Sequence, residues 1–184
     1  MKIILVRHAE STSNTDKEVL RTVPNHLVEL TESGRSQAYD LGIELKNRGI
    51  ISAKFICSPY VRTRQTFDEI NKSITCMGFK TDYRIREIDV GNFVEDFQKI
   101  REERMKIGKF YYRFSNGESI ADVAIRVELF LNDLRKFDND GYPVVIVTHA
   151  ATMRVMQFLI NKLTIEQFET LDRPKNCEIL ELYI

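Results

Sequence analysis

Two short apolar runs end on histidines, and they organise the reading of the chain. Residues 2–6, KIILV, open directly into Arg7 and His8, and residues 143–147, PVVIV, lead through Thr148 to His149. Runs this short, without the alternation of a half-exposed strand, predict strands covered on both faces of a parallel sheet. Ligands of such sheets collect beyond the carboxyl ends of the strands, which is where both histidines fall.

Helical spacing fills the intervals. Thr31 or Ser33 can start a helix that carries Ala38, Leu41 and Leu45 on one stripe and ends at Gly49. Residues 54–57 predict a strand, and Ser58-Pro59 reads as the N-cap and first residue of a helix reaching about residue 72. A short strand is expected within 75–83. The strongest helical pattern covers 119–137, where Ile120, Val123, Val127, Phe130, Leu134 and Phe137 recur at steps of three and four before Asn139-Asp140-Gly141 closes it. Two more helices are expected, over 151–160 and from a Thr164 cap to residue 169. A last strand over 178–183 alternates, with Ile179 and Leu182 facing inward. The pattern implies an α/β fold, a three-layer α/β/α sandwich with a central, mostly parallel mixed sheet. Residues 92–117 follow the rhythm least, with charge, a helical pattern over 97–105 and the aromatic cluster Phe110, Tyr111, Tyr112 and Phe114. No repeat or linker divides the chain, so 1–184 reads as one domain with 92–117 as an inserted segment over the site.

Composition narrows the function. A chain of 184 residues can bury about 70% of its extended surface, enough for a core without metal or disulfides. Its 27 basic and 27 acidic side chains cancel, which removes any general attraction to nucleic acid or anionic lipid. Any anion site must therefore be built from a few placed arginines. Cys57, Cys76 and Cys177 show no pairing pattern and read as buried or incidental thiols. The opening MKIILVRHAE holds too few apolar residues for a signal-peptide core, and no run approaches the roughly 20 residues of a membrane span. The expectation is a cytoplasmic protein, monomer or homodimer, with no nucleic-acid or membrane partner.

The candidate chemistry sits in four separated segments. Arg7 and His8 are followed by Glu10, Ser11 and Asn14, and a guanidinium offers a bidentate fork to phosphate oxygens. Taken alone, the pair fits a surface arginine beside a satisfied histidine better than it fits a site. Arg62 falls on the first turn of a predicted helix, where an anion also meets free backbone N–H groups, while Arg64 points elsewhere. Glu87 and Asp89 share a face if extended, and only one reaches the site if the segment turns. His149 is a polar imidazole ending an apolar run. Together, two histidines, two arginines and an acid suit phosphoryl transfer: neutral His8 attacks phosphorus, the arginines and His149 balance oxygen charge, and an acid protonates the leaving oxygen. Zinc is the poorer reading, because three histidines stand without HxH, HExxH or paired cysteines, so no metal and no cofactor are expected.

At this point the chain resembles the histidine phosphatase, or phosphoglycerate-mutase-like, superfamily, over nearly its full length. LVRHAES resembles the superfamily's opening motif, which implies that His8 is the phosphorylated histidine, with Arg7 and Asn14 as phosphate ligands. SPYVRTRQT implies the same ligand role for Arg62, REIDVG implies Glu87 as proton donor, and VTHAATMR implies His149 as the second core histidine. LTESGRSQA, FYYRFSNGESIADVAIRV and the tail RPKNCEI look like a branch of predicted phosphatases. Ala9 and Ala150 stand where the superfamily most often has glycine, and Asn92-Phe93-Val94-Glu95 replaces its frequent aromatic-Glu-Gly. Ser11, Ala150 and Glu118 are the candidates for the outer shell, although Ser119 beside Glu118 reads equally as a helix cap, and Arg154 reads as structural. The implied activity is a phosphoric monoester hydrolase, acid or neutral, acting through phosphohistidine on a small phosphorylated metabolite. A phosphoglycerate mutase and a catalytically silent phospho-ligand binder are the alternatives. The segment Glu87-Ile88-Asp89-Val90-Gly91 departs from the mutase-type acid segment and favours hydrolysis.

Overall fold

The computed structural model describes residues 1–91 and 97–184. The first half of the chain runs β1 (Lys2–Arg7), α1 (Thr12–Thr15), α2 (Val19–Thr22), α3 (Glu32–Asn47), β2 (Ser52–Cys57), α4 (Val61–Ile70) and β3 (Thr75–Thr81). The second half runs α5 (Phe97–Ile107), α6 (Ile120–Leu134), β4 (Val144–Thr148), α7 (Ala150–Ile160), α8 (Ile165–Thr170) and β5 (Ile179–Tyr183). Short 3-10 turns lie at Asn25–Leu27 and Tyr83–Ile85.

The strands form one sheet in the order β3-β2-β4-β1-β5. All neighbours are parallel except β1 and β5, so the sheet is mixed and mostly parallel, as the apolar runs predict. Side chains alternate between two cores. Ile3, Leu5, Ile56, Val144 and Ile146 face α6, α7 and α8, where Val127, Phe130, Met153 and Phe168 meet them. Ile4, Val6, Phe55, Val145 and Val147 face α3 and α4, where Leu41, Leu45 and Ile70 close the other side. Burying one such side chain contributes about 1.5–3 kcal/mol, and both faces of the central strands gain it. The result is an α/β/α sandwich, and no helix among the described residues is long and apolar enough to cross a membrane.

Local differences from the sequence reading have identifiable causes. Thr31 does cap α3, its Oγ1 accepting from the Gly34 N–H at 2.9 Å. Ser58 does not cap α4; Tyr60 holds that position, the helix stops at Ile70, and the Ser58 hydroxyl is used elsewhere. In β5, Leu182 is buried but Ile179 is only half-buried, because this strand lies at the sheet's edge. In the aromatic cluster, Phe110 packs with Phe158 and Phe168 in the core.

Candidate active site

The sheet register builds the site. Because Arg7 lies opposite Thr148 in adjacent parallel strands, His8 and His149 follow side by side. The His8 N–H donates to the Thr148 carbonyl at 2.9 Å, and the two ring centroids are 5.2 Å apart. On the other flank of β4, Ser58 follows β2 and its Oγ lies 2.7 Å from His149 Nε2. Three adjacent strands thus deliver three polar side chains at one edge. From the first turn of α4, Arg62 returns to His8 and its Nε–H donates to His8 Nε2 at 3.2 Å.

These contacts fix the protonation of His8. Its Nδ1 lies 2.7 Å from the Ala9 carbonyl, which can only accept, so Nδ1 carries the proton. Nε2 faces an obligate donor and therefore holds its lone pair. Burial, then the Arg62 charge, push the His8 pKa well below its usual 6.5. Burial, then Arg62, do the same to His149. The arginines are anchored on backbone carbonyls: Arg7 Nη1 donates to Pro174 at 2.7 Å and Arg62 Nη1 to Asn25 at 2.6 Å. Such anchors fix orientation without neutralising charge. Burial lowers the Arg62 pKa to about 10, which still leaves it cationic at neutral pH.

A cavity of about 840 Å³ opens over His8, and Arg7, Asn14, Arg62, Glu87 and Ala150 share its wall. Asn14 Oδ1 accepts from the Ser11 N–H, the Ser11 hydroxyl and Asn176 Nδ2, so its own amide N–H donors remain for an anion. Glu87 is the one carboxylate among the described lining residues. Asp89 is exposed and accepts from the Gly91 N–H, so the segment turns and only one of the two acids faces the cavity. His149 is fully buried behind His8 and does not line the cavity itself.

Two outer-shell expectations need correction. Glu118 does not line the cavity; its carboxylate accepts from Arg86 at 2.6 Å, from Arg126 at 2.9 and 3.0 Å, and from the Asp89 N–H at 3.0 Å. A carboxylate so engaged cannot also face a ligand. Ser11 is also absent from the wall, its hydroxyl turned inward to Asn14. Ser119 caps α6, Arg64 is exposed, and Arg154 both lines the cavity and donates to the Phe168 carbonyl at 2.9 Å. Ala9 is buried, with its N–H donating to Thr66 Oγ1 at 3.1 Å. Asn92, Phe93, Val94 and Glu95 lie outside the described residues, while Ile100, Arg101, Arg104, Lys109 and Phe114 from the same region line the cavity.

Sequence reasoning missed several members. Ser58 obeys the same strand-end rule that singled out both histidines and could have been found by it. Asn176, whose Nδ2 donates to the His8 carbonyl at 2.9 Å, and Arg173, which lines the cavity, belong to the tail RPKNCEI. That tail gave only a resemblance, with no chemical pattern of its own.

The sandwich, its paired strand-end histidines and the arginine wall define an α/β protein with a cation-lined cavity at the carboxyl edge of its sheet. The family model of the histidine phosphatase superfamily (branch 1) matches residues 3–184, and the chain belongs to that superfamily. It is 39% identical to a phosphoglycerate mutase-like protein of Arabidopsis thaliana, over 98% of this chain and 74% of that protein. It is 33% identical to phosphoserine phosphatase 1 of Hydrogenobacter thermophilus, over 91% of this chain and 80% of the relative. A structure of a mycobacterial glucosyl-3-phosphoglycerate phosphatase shares the fold at a TM-score of 0.80 and 21% identity, covering 99% of this chain and 90% of that one. The protein is thus an enzyme of the histidine phosphatase superfamily.

Proposed function

We propose that the protein hydrolyses a small phosphomonoester through a phosphohistidine on His8. The observation that carries this reading is the unprotonated Nε2 of His8, held at the cavity floor beside two arginines that form no ion pair among the described residues. An arriving phosphoryl group draws the Arg62 donors onto its oxygens and frees that lone pair. Nε2 then attacks phosphorus, the P–N bond forms as the ester P–O bond breaks, and Glu87 in its acid form gives its proton to the leaving oxygen. Water attacks the phosphohistidine, ionised Glu87 takes the water's proton, and the P–N bond breaks to return neutral His8. Arg7, Arg62 and the Asn14 amide balance charge on the equatorial oxygens. A phosphoryl anion beside His149 would favour the charged form of its imidazole, opposing the lowering that burial and then Arg62 impose.

A phosphometabolite panel on wild type and His8→Ala, with phosphate release followed near neutral pH, tests the reading. Release confined to wild type supports it, and release unaffected by the substitution overturns it. Mutase chemistry is the second reading, favoured by the mutase-like relatives and using the same histidine. Formation of 2-phosphoglycerate from 3-phosphoglycerate faster than phosphate release would select it.

A further inference from the structure

The buried donors and acceptors around His149 decide which of its ring nitrogens carries the proton. Burial, then Arg62, push the His149 pKa well below its usual 6.5, so the imidazole is neutral and holds a single proton. Its Nε2 lies 2.7 Å from Ser58 Oγ, and both residues are fully buried. Ser58 Oγ also accepts from the Tyr60 N–H at 3.4 Å, and among the described residues its own hydroxyl hydrogen meets no acceptor other than Nε2. A proton on Nε2 would aim two N–H donors at Ser58 Oγ, strand that hydroxyl hydrogen, and leave Nδ1 a bare acceptor with no partner among the described residues. A proton on Nδ1 lets Ser58 donate to Nε2 and leaves only the Nδ1–H unmatched. One arrangement strands two buried groups, the other strands one.

We infer that Ser58 is a positioning residue that fixes His149 as its Nδ1–H tautomer, so that a neutral, unpartnered N–H donor stands ready beside His8. Strand register sets the partners: the Ser58 N–H donates to the Val147 carbonyl at 3.0 Å and the His8 N–H to the Thr148 carbonyl at 2.9 Å. The buried Nδ1–H needs an acceptor, and the ring that carries it has its centroid 5.2 Å from that of His8. An oxygen of a phosphoryl group on His8 suits it, a step that rests on the hydrolase reading; the tautomer itself does not. The donor is then present before substrate arrives and requires no proton uptake. The other tautomer would offer Nδ1 only as a lone pair, which an anion's oxygens repel.

The test labels histidine with heavy nitrogen and reads each ring nitrogen by long-range proton–nitrogen NMR correlation at neutral pH, without ligand. The chain has three histidines, and the spectrum of His149→Asn identifies which signals belong to His149. Wild type is expected to show a protonated Nδ1 and a bare Nε2. Ser58→Ala should lose that preference, and Ser58→Thr, which keeps the hydroxyl, should retain it. In kcat/KM for phosphate release Ser58→Ala should fall roughly 10- to 100-fold, the effect of one charge-assisted hydrogen bond, with inorganic phosphate a weaker inhibitor, and Ser58→Thr should recover most of that loss. A thermal melt accompanies each variant, because lost packing lowers Tm without moving a tautomer. A protonated Nε2 in wild type, alone or together with Nδ1, overturns the assignment, and that spectrum decides even where a variant does not fold. A His149 spectrum unchanged in Ser58→Ala, or an unchanged kcat/KM once the tautomer has moved, overturns the positioning role. Phosphate release indifferent to His8→Ala overturns the hydrolase reading instead, and the tautomer is then judged by its spectrum.

Discussion

Glu118→Gln removes one charge and almost no volume, so its effect isolates what that carboxylate holds. Glu118 gathers Arg86, Arg126 and the Asp89 N–H, and Arg126 in turn donates to the Arg84 carbonyl at 2.5 Å and the Glu87 carbonyl at 3.3 Å. The segment carrying Glu87 is therefore clamped from below. The Arg126 and Glu118 side chains are only 10% and 13% exposed, so the substitution strands a desolvated guanidinium. Removing one partner of a buried pair costs about 3–5 kcal/mol. For a domain of this size each kcal/mol lowers Tm by about 2–4 °C, which predicts a fall of about 6–20 °C. Thermal melts by circular dichroism read the loss, and phosphate release should fall with it because Glu87 is no longer held. Acid should mimic the variant. Burial alone would raise the Glu118 pKa, but Arg126 holds it below its usual 4.5, so this stabilisation is complete above that value and lost as pH falls through the lower folded one. A Glu118→Gln protein that melts within about 2 °C of wild type and turns over normally would refute the clamp.

Three further outcomes follow from the site. Ser58→Ala leaves the fully buried His149 without a partner on Nε2, its Nδ1 already having none among the described residues; urea titration should show a loss of about 1–3 kcal/mol, and turnover should drop. Gly34→Ala places a methyl 1.9 Å from the Glu10 carbonyl, so α3 must move away from the loop after His8; a stability loss of about 1–3 kcal/mol with reduced kcat is expected, and a crystal structure of the variant would show the displaced loop. His8 and His149 have folded pKa values pushed below 6.5 by burial and Arg62, so the unfolded chain binds more protons and stability falls as pH drops below that value. Each histidine contributes at most about 1.4 kcal/mol per pH unit, and urea midpoints between pH 7 and 5 should show a shallower slope in His149→Asn.

What the sequence made legible was local or periodic. The central strands stood out because residues covered on both faces leave unbroken apolar runs, and α6 because its seven-residue rhythm lasts four turns. β3 was barely visible, since most of its residues are exposed at the sheet's edge. The four-residue helices α1 and α2 are too short for any period to register. Arg62 was a candidate from its place on a helix's first turn and Glu87 as one of two neighbouring acids, the motif resemblance gave each its role, and both lie in one cavity with His8. Ser58 was misread because a serine before proline satisfies a local capping pattern, while its actual partner, His149, is 91 residues away. Glu118 failed for the same reason: its Arg86 partner is 32 residues distant, and no local pattern reports an ion pair across that span.

The charge balance shows how a global property can be silent about the site. Equal numbers of acids and bases give no general reason to expect a long-range pull on polyanions. Yet the acids are not shared evenly. Asp82 and Asp133 both engage Arg84, Glu118 engages Arg86 and Arg126, and Asp122 engages Arg113. The cavity wall receives Glu87 alone among the described residues. Its field is screened beyond about 8–10 Å at ordinary ionic strength, so it acts on an anion already at the mouth and not on one in free solution. The cation-rich wall therefore arises by withholding carboxylates from one side of the cavity, with rings and backbone carbonyls holding arginines that carboxylates would otherwise neutralise.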